Sequence, residues 1–218
     1  MVKNVIVSNR LPIQVTKLEK SFQITPSSGG LATGVNSIRD ESSVWIGWSG
    51  IKSEDFTKES KLEIDKALID QNLIQIDLNS DEIDKYYYGL SNKSLWPLFH
   101  YFIDFSKFNE DQWNSYYEVN KKFCDVVISN VSTNGTVWVH DYQLMLLPKM
   151  IRDKRPDLSI GFFLHIPFPS FEIFRIFPRR EELLKGILGA DLVGFHTYNY
   201  ERHFISSIKR ILRKDVNF

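Results

Sequence analysis

The chain has 218 residues, 27 Lys plus Arg against 27 Asp plus Glu, and a formal net charge of zero. That length suits one large domain or two small ones, and the neutral balance argues against a general nucleic-acid binder. With 43% hydrophobic and 25% charged residues a sizeable core can be built, while the single cysteine, Cys124, excludes an internal disulfide and a Cys-rich metal site.

Residues 5–8 read as a first strand that runs into Asn9 and Arg10. The start has no charged region followed by a long apolar one, so no signal peptide is expected. No apolar run approaches the ~20 residues of a membrane helix, and a cytoplasmic protein with neither membrane nor nucleic-acid partners is expected. A Ser-Ser-Gly-Gly turn leads to a predicted helix over 29–38, then a short strand over 44–47. An amphipathic helix over 54–70 and a strand over 73–78 follow. Residues 81–90 read as helical and open an aromatic-rich segment. A long helix over 111–129 precedes a strand over 137–139, and a helix over 143–152 precedes a strand over 159–164. Helices around 171–177 and 180–188, a strand over 192–195 and a helix over 198–212 come last. Strands alternating with helices predict an α/β fold with a mostly parallel sheet.

In such sheets ligands collect beyond the carboxyl ends of the strands. Here those ends carry Arg10, Trp48 in WIGWSG, His140 and Asp141 in VWVHDY, His165 in GFFLHIPFP and His196 in VGFHTYNY. Arg10 is either a solvated loop cation or a fork of donors for a phosphate or carboxylate. Asp141 either caps the helix expected at 143 or accepts hydrogen bonds from sugar hydroxyls. His140 and His165 read equally well as satisfied core histidines. No HExxH or similar spacing supports a metal, and no cofactor is implied. The Gly-rich stretch PSSGGLATG offers backbone N–H groups that suit a diphosphate, or simply turns and caps; it matches neither the dinucleotide nor the Walker pattern. The aromatics of YYYGLSNKSLWPLFHY are mostly core by expectation, with a few free to lie against a sugar ring. Two prolines after His165 stiffen the loop that follows it.

Taken together, VSNRLP, SSGGLATG, WIGWSG, YYYGLSNKSLWPLFHY, VWVHDYQLMLLP, GFFLHIPFPSFEIFR and ILGADLVGFHTYNYERHF resemble the trehalose-6-phosphate synthase family of retaining glycosyltransferases, over nearly the whole chain. The resemblance implies the GT-B arrangement, two Rossmann-like domains around a cleft. Residues 1–218 would then be the N-terminal, acceptor-binding domain, with the C-terminal donor-binding domain outside this chain. It implies transfer of glucose from a nucleotide sugar such as UDP-glucose to glucose 6-phosphate with retention, by front-face displacement without a protein nucleophile. Arg10 would grip the phosphate, Trp48, Tyr87 and Trp96 would line the acceptor pocket, and Asp141 would bind acceptor hydroxyls near the reacting oxygen. Gly29 and Gly30 would approach the donor, and His165 would hold its glucose and stabilise developing charge. His165 and Asp141 are thus the expected catalytic residues. The absence of an obvious glycosidase-like carboxylate pair agrees with that route. Gln143 stands where many relatives carry His. Without the other domain, which the family uses for the donor diphosphate, little or no activity is expected of the chain alone. Partners implied are the two substrates and the chain's own C-terminal domain, with room for a second copy. The competing expectation is a non-catalytic, synthase-like module of a trehalose-phosphate phosphatase or complex subunit.

Overall fold

The computed structural model describes residues 1–18, 21–27, 34 and 42–216. Apart from residue 34, the expected helix over 29–38, with Gly29 and Gly30, therefore lies outside the described residues.

Six strands form one parallel sheet: β1 (Val2–Arg10), β4 (Val44–Trp48), β5 (Leu73–Gln75), β6 (Val131–His140), β7 (Ser159–Leu164) and β8 (Leu192–Phe195), in the order β5-β4-β1-β6-β7-β8. The order reverses direction between β1 and β6, which pair in parallel with Val7 opposite Val139. Such a reversal opens a crevice at the carboxyl ends of the two strands. A separate antiparallel hairpin, β2 (Ile13–Lys17) and β3 (Phe22–Pro26), follows β1.

β1 is buried continuously from Val5 to Asn9 because both faces of the sheet are covered. Val5 and Val7 point into one core, with Ile46, Val139 and Leu164; Ile6 points into the other, with Trp45 and Leu73. The first core is closed by α2 (Ser80–Glu82, Ile83–Leu95 and Trp96–Phe99, run together), α3 (Glu110–Asn130), α4 (Leu147–Lys154), α6 (Arg180–Ile187) and α7 (Tyr198–Ser207, continuing as a π-helix over Ile208–Leu212). The second is closed by α1 (Lys58–Ile69), which contributes Ile64 and Leu68, and by Ile13 and Val15 of β2.

Local chemistry sets the boundaries. α1 starts four residues later than the sequence suggests, because Thr57 and Ser60 form a reciprocal capping box; 53–55 is a separate 3₁₀ turn. α3 begins where Asn109 accepts from the backbone N–H groups of Asp111 and Gln112, and it buries Trp113, Tyr116, Asn120, Phe123 and Val127 along one stripe. α2 opens at Ser80–Glu82, widens into a π-helix over Ile83–Leu95 and ends as Trp96–Phe99. Gly89 lets it lie close to α3, since a Cβ there would sit 2.7 Å from the Gln112 side chain. The strand expected over 73–78 stops at Gln75, and the helix around 171–177 is only α5 (Phe171–Phe174). The helix expected from residue 143 begins at Leu147, behind a 3₁₀ turn over Tyr142–Leu144. No helix of the described residues is long and apolar enough to cross a membrane.

Candidate functional site

The crevice carries two groups of side chains. On the β1–β4 side, Arg10 and Trp48 are partners in the strand register, and the Arg10 guanidinium lies over the Trp48 ring with Cζ 4.7 Å from its centroid. Trp48 is fixed by donating from Nε1 to the carbonyl of Ile51 at 2.8 Å, and its ring meets Tyr87 edge-on at 5.9 Å. Arg10 is half-buried and has no carboxylate partner among the described residues. Burial pulls its guanidinium below its usual range, with Tyr87 and Tyr88 acting the other way. Position 50 makes room for this arrangement. Gly50 has φ +97°, and a Cβ there would run into the guanidinium.

Neighbouring groups hold this side rigid. The Ser8 hydroxyl donates to the Arg10 carbonyl at 2.6 Å and accepts from Trp45 Nε1 at 2.7 Å. Asn9 Oδ1 accepts from the buried Tyr86 hydroxyl at 2.9 Å, tying β1 to α2. Asn92 Oδ1 accepts from the Tyr142 hydroxyl at 2.9 Å, which ties α2 to the turn after β6.

On the β6–β7 side, Asp141 takes φ +76° directly after the strand and makes no side-chain cap. The capping reading of Asp141 is thereby corrected. Its Oδ1 accepts instead from the backbone N–H of His165 at 3.1 Å, across the ends of two adjacent strands. Burial pushes its carboxyl up to about 6, against the stabilising N–H groups of Tyr142 and His165. His140 Nδ1 and His165 Nε2 are hydrogen-bonded at 3.0 Å. Burial, followed by the imidazole of His165, lowers His140 to about 3; burial, followed by the imidazole of His196, lowers His165 to about 4, so both are neutral at physiological pH. His196 directly follows β8, with its ring 5.6 Å from that of His165. The loop after His165 is held from outside: His203 Nδ1 bonds the Phe168 carbonyl at 3.1 Å, and the Ser170 N–H donates to the Tyr101 hydroxyl at 2.9 Å.

The structure thus gathers Arg10, Trp48 and Tyr87 around the end of β1 and Asp141 and His165 beyond the ends of β6 and β7, with β1 and β6 paired at the switch point. Trp96 is 40% exposed and stacks on His100 at 4.0 Å; no ring contact joins it to Trp48 or Tyr87 among the described residues. Gly29 and Gly30 are not placed. Sequence reasoning missed Asn9, Tyr86, Asn92 and Gly50, and left His140 without a role. Only Gly50 had a local signal, as a glycine two residues past a strand-end Trp. No group of three His, Cys, Asp or Glu among the described residues converges as metal ligands do. A cavity of about 430 Å³ elsewhere, between α1 and the β4–β5 edge, is lined by Lys61, Asp65, Asn72 and Gln75 and holds none of these strand ends.

Residues 2–217 match the model of Glycosyltransferase family 20. The 56 kDa subunit of a Kluyveromyces lactis alpha,alpha-trehalose-phosphate synthase (UDP-forming) is 45% identical over 217 residues, 95% of this chain and 44% of that protein. Among solved structures, the N-terminal domain of a Candida albicans trehalose-6-phosphate phosphatase superposes with a TM-score of 0.81 at 32% identity, over all of this chain and 45% of that one. An E. coli trehalose-6-phosphate structure bound with UDP-2-fluoro glucose gives 0.78 at 31% identity, over 98% and 44%. The chain therefore spans less than half the length of the relatives it matches.

Proposed function

The chain belongs to Glycosyltransferase family 20, and on that premise we propose that it forms the acceptor-binding side of an α,α-trehalose-phosphate synthase. The reaction is transfer of glucose, with retention, from UDP-glucose to glucose 6-phosphate. The observation that carries the reading is Arg10. A guanidinium at the end of the central strand, held over Trp48 and without a carboxylate partner among the described residues, is a cation kept for an anionic ligand. Tyr87 beside it supplies a hydroxyl for the same phosphate, the buried Trp48 ring backs the guanidinium, and the exposed ring of Trp96 supplies an apolar face for the sugar. The UDP-forming synthases among the relatives support the choice of donor.

In this reading the crevice works by positioning and electrostatics rather than by a protein nucleophile. Arg10 anchors the phosphate end of the acceptor. Asp141, largely ionised at pH 7 with its carboxyl near 6, accepts hydrogen bonds from acceptor hydroxyls. His165, neutral with its imidazole near 4, offers a hydrogen bond to the donor glucose rather than a proton. Its backbone is fixed by Asp141, so acceptor and donor contacts move together. Gly29 and Gly30 are assigned to the donor on the resemblance alone. The proposed domain division and any second copy rest on the same ground.

A non-catalytic module is the second reading, favoured by the likeness to the phosphatase's N-terminal domain. Fold alone does not separate the two. The assembled Arg10, Trp48, Tyr87, Asp141 and His165, together with the synthase relatives, favour the transferase. Calorimetric titration of glucose 6-phosphate into the chain tests this, with free glucose and Arg10→Ala as controls. Binding that needs both the phosphate and Arg10 supports the reading. A folded wild-type chain that binds nothing, or an Arg10→Ala chain that binds equally well, refutes it.

A further inference from the structure

His140 has no part in the roles given so far. It closes β6 with 1% of its surface exposed, and Nδ1 faces His165 Nε2 at 3.0 Å. Its other nitrogen, Nε2, is buried without a partner among the described residues. The Trp138 ring packs against it at 4.4 Å. This pairing constrains where the protons lie. One proton must sit between the two facing nitrogens. If His165 donates it, the proton of a neutral His140 moves to Nε2, and an N–H is buried with nothing to accept it. If His140 donates it, Nε2 is left as a bare lone pair. A buried, unanswered N–H is the rarer of these two defects.

We infer that His140 is a positioning residue: it donates from Nδ1 to His165 Nε2, fixing the His165 ring with its proton on Nδ1 and leaving that N–H for an oxygen of a bound hexosyl group. The final clause rests on the transferase reading; the tautomer itself does not. The ring is then oriented by the same strand end that fixes its backbone, since Asp141, the next residue, takes the His165 N–H at 3.1 Å. Which nitrogen of an imidazole bears the proton is set by the bond made at the other. An unconstrained neutral histidine prefers Nε2–H, so the inferred state departs from the default and is measurable.

The experiment is a long-range proton–nitrogen correlation spectrum of the imidazoles in the 15N-labelled chain near neutral pH, for wild type, His140→Phe and His140→Asn. The expected wild-type spectrum shows His165 protonated on Nδ1 and bare on Nε2. In His140→Phe, which keeps an aromatic ring against Trp138 but has no donor, His165 should revert mainly to the Nε2–H form. In His140→Asn, an amide N–H near the lost Nδ1 should restore the wild-type pattern. A wild-type His165 protonated on Nε2 overturns the inference, as does an unchanged His165 in folded His140→Phe. Should His140→Phe fail to fold, the wild-type spectrum decides alone. Glucose 6-phosphate titrated into the same wild-type sample reads the Arg10 pocket separately. Absent binding with the expected tautomer removes the transferase reading and leaves the His140 assignment standing.

Discussion

Arg10 can lie over Trp48 because position 50 has no side chain. Gly50→Ala adds a methyl at the guanidinium and forces an L-residue to φ +97°. Backbone strain of this kind costs about 1–3 kcal/mol. The substitution should therefore lower stability in urea denaturation by that strain plus the clash with the Arg10 guanidinium, and the clash should weaken glucose 6-phosphate binding as well. The two effects share a cause, so in an Arg10→Ala background the stability cost should shrink by roughly 1 kcal/mol, leaving backbone strain alone. Strict additivity would show that the methyl does not reach Arg10. Asp141 shows the opposite kind of constraint. Its carboxyl is raised from 3.8 to about 6, so the folded chain favours the protonated form. That stability is complete below about pH 4 and is lost as pH rises through 6. The two-unit shift sets a ceiling of ~3 kcal/mol, which the partial exposure of the side chain reduces. Asp141→Asn should accordingly stabilise the chain at pH 7 by on the order of 1 kcal/mol, leave it unchanged at pH 4, and weaken acceptor binding. Melting temperatures at the two pH values check this; an unchanged or lower value at pH 7 counts against it.

The central strands were legible as elements because a parallel strand buried on both faces shows as an apolar run, and here each run ends abruptly in a polar residue. Val5 to Val7, Val137 to Val139 and the GFFL of β7 all have that form. The β2–β3 hairpin was not legible. Ile13 and Val15 alternate with polar residues, but its turn region reads Leu-Glu-Lys-Ser, with none of the Gly or Asn that marks a tight hairpin. The π-helical stretch of α2 was seen only as helix, since aromatic residues fill both its buried and its exposed sides. That stretch matters to the site through Tyr86, whose hydroxyl links α2 to Asn9. Tyr86→Phe removes the donor and leaves buried Asn9 Oδ1 without it. Such a loss costs about 1–3 kcal/mol. Equilibrium unfolding should show that decrease; a change below about 0.5 kcal/mol would mean that Asn9 finds another partner and α2 does not brace β1.

At the scale of the whole molecule, the sequence offers polar strand ends but no strand order. Pairing β1 with β6 sets the group containing Arg10 beside the group containing Asp141, and pairing β6 with β7 joins His140 to His165. Buried titratable groups at one end of one sheet couple the crevice to global stability. His140 and His165 are lowered from 6.5 to about 3 and about 4, so as pH falls through 6.5 the unfolded chain takes up two protons that the folded chain refuses. Their contribution is present above pH 6.5 and is lost toward pH 4. Asp141 acts in the opposite sense, because the folded chain takes up its proton near 6 and the unfolded chain only near 4. Between about pH 6 and 4 these three groups leave the unfolded state about one proton ahead. Stability should then fall by up to about 1.4 kcal/mol for each pH unit of acidification. Asp141→Asn removes the opposing proton and should steepen the fall toward twice that slope, whereas His165→Gln removes one of the two refused protons and should flatten it. Urea midpoints measured across this range for the three chains provide the check. A flat wild-type profile, or a slope that Asp141→Asn leaves unchanged, would show that the strand-end groups titrate independently of folding.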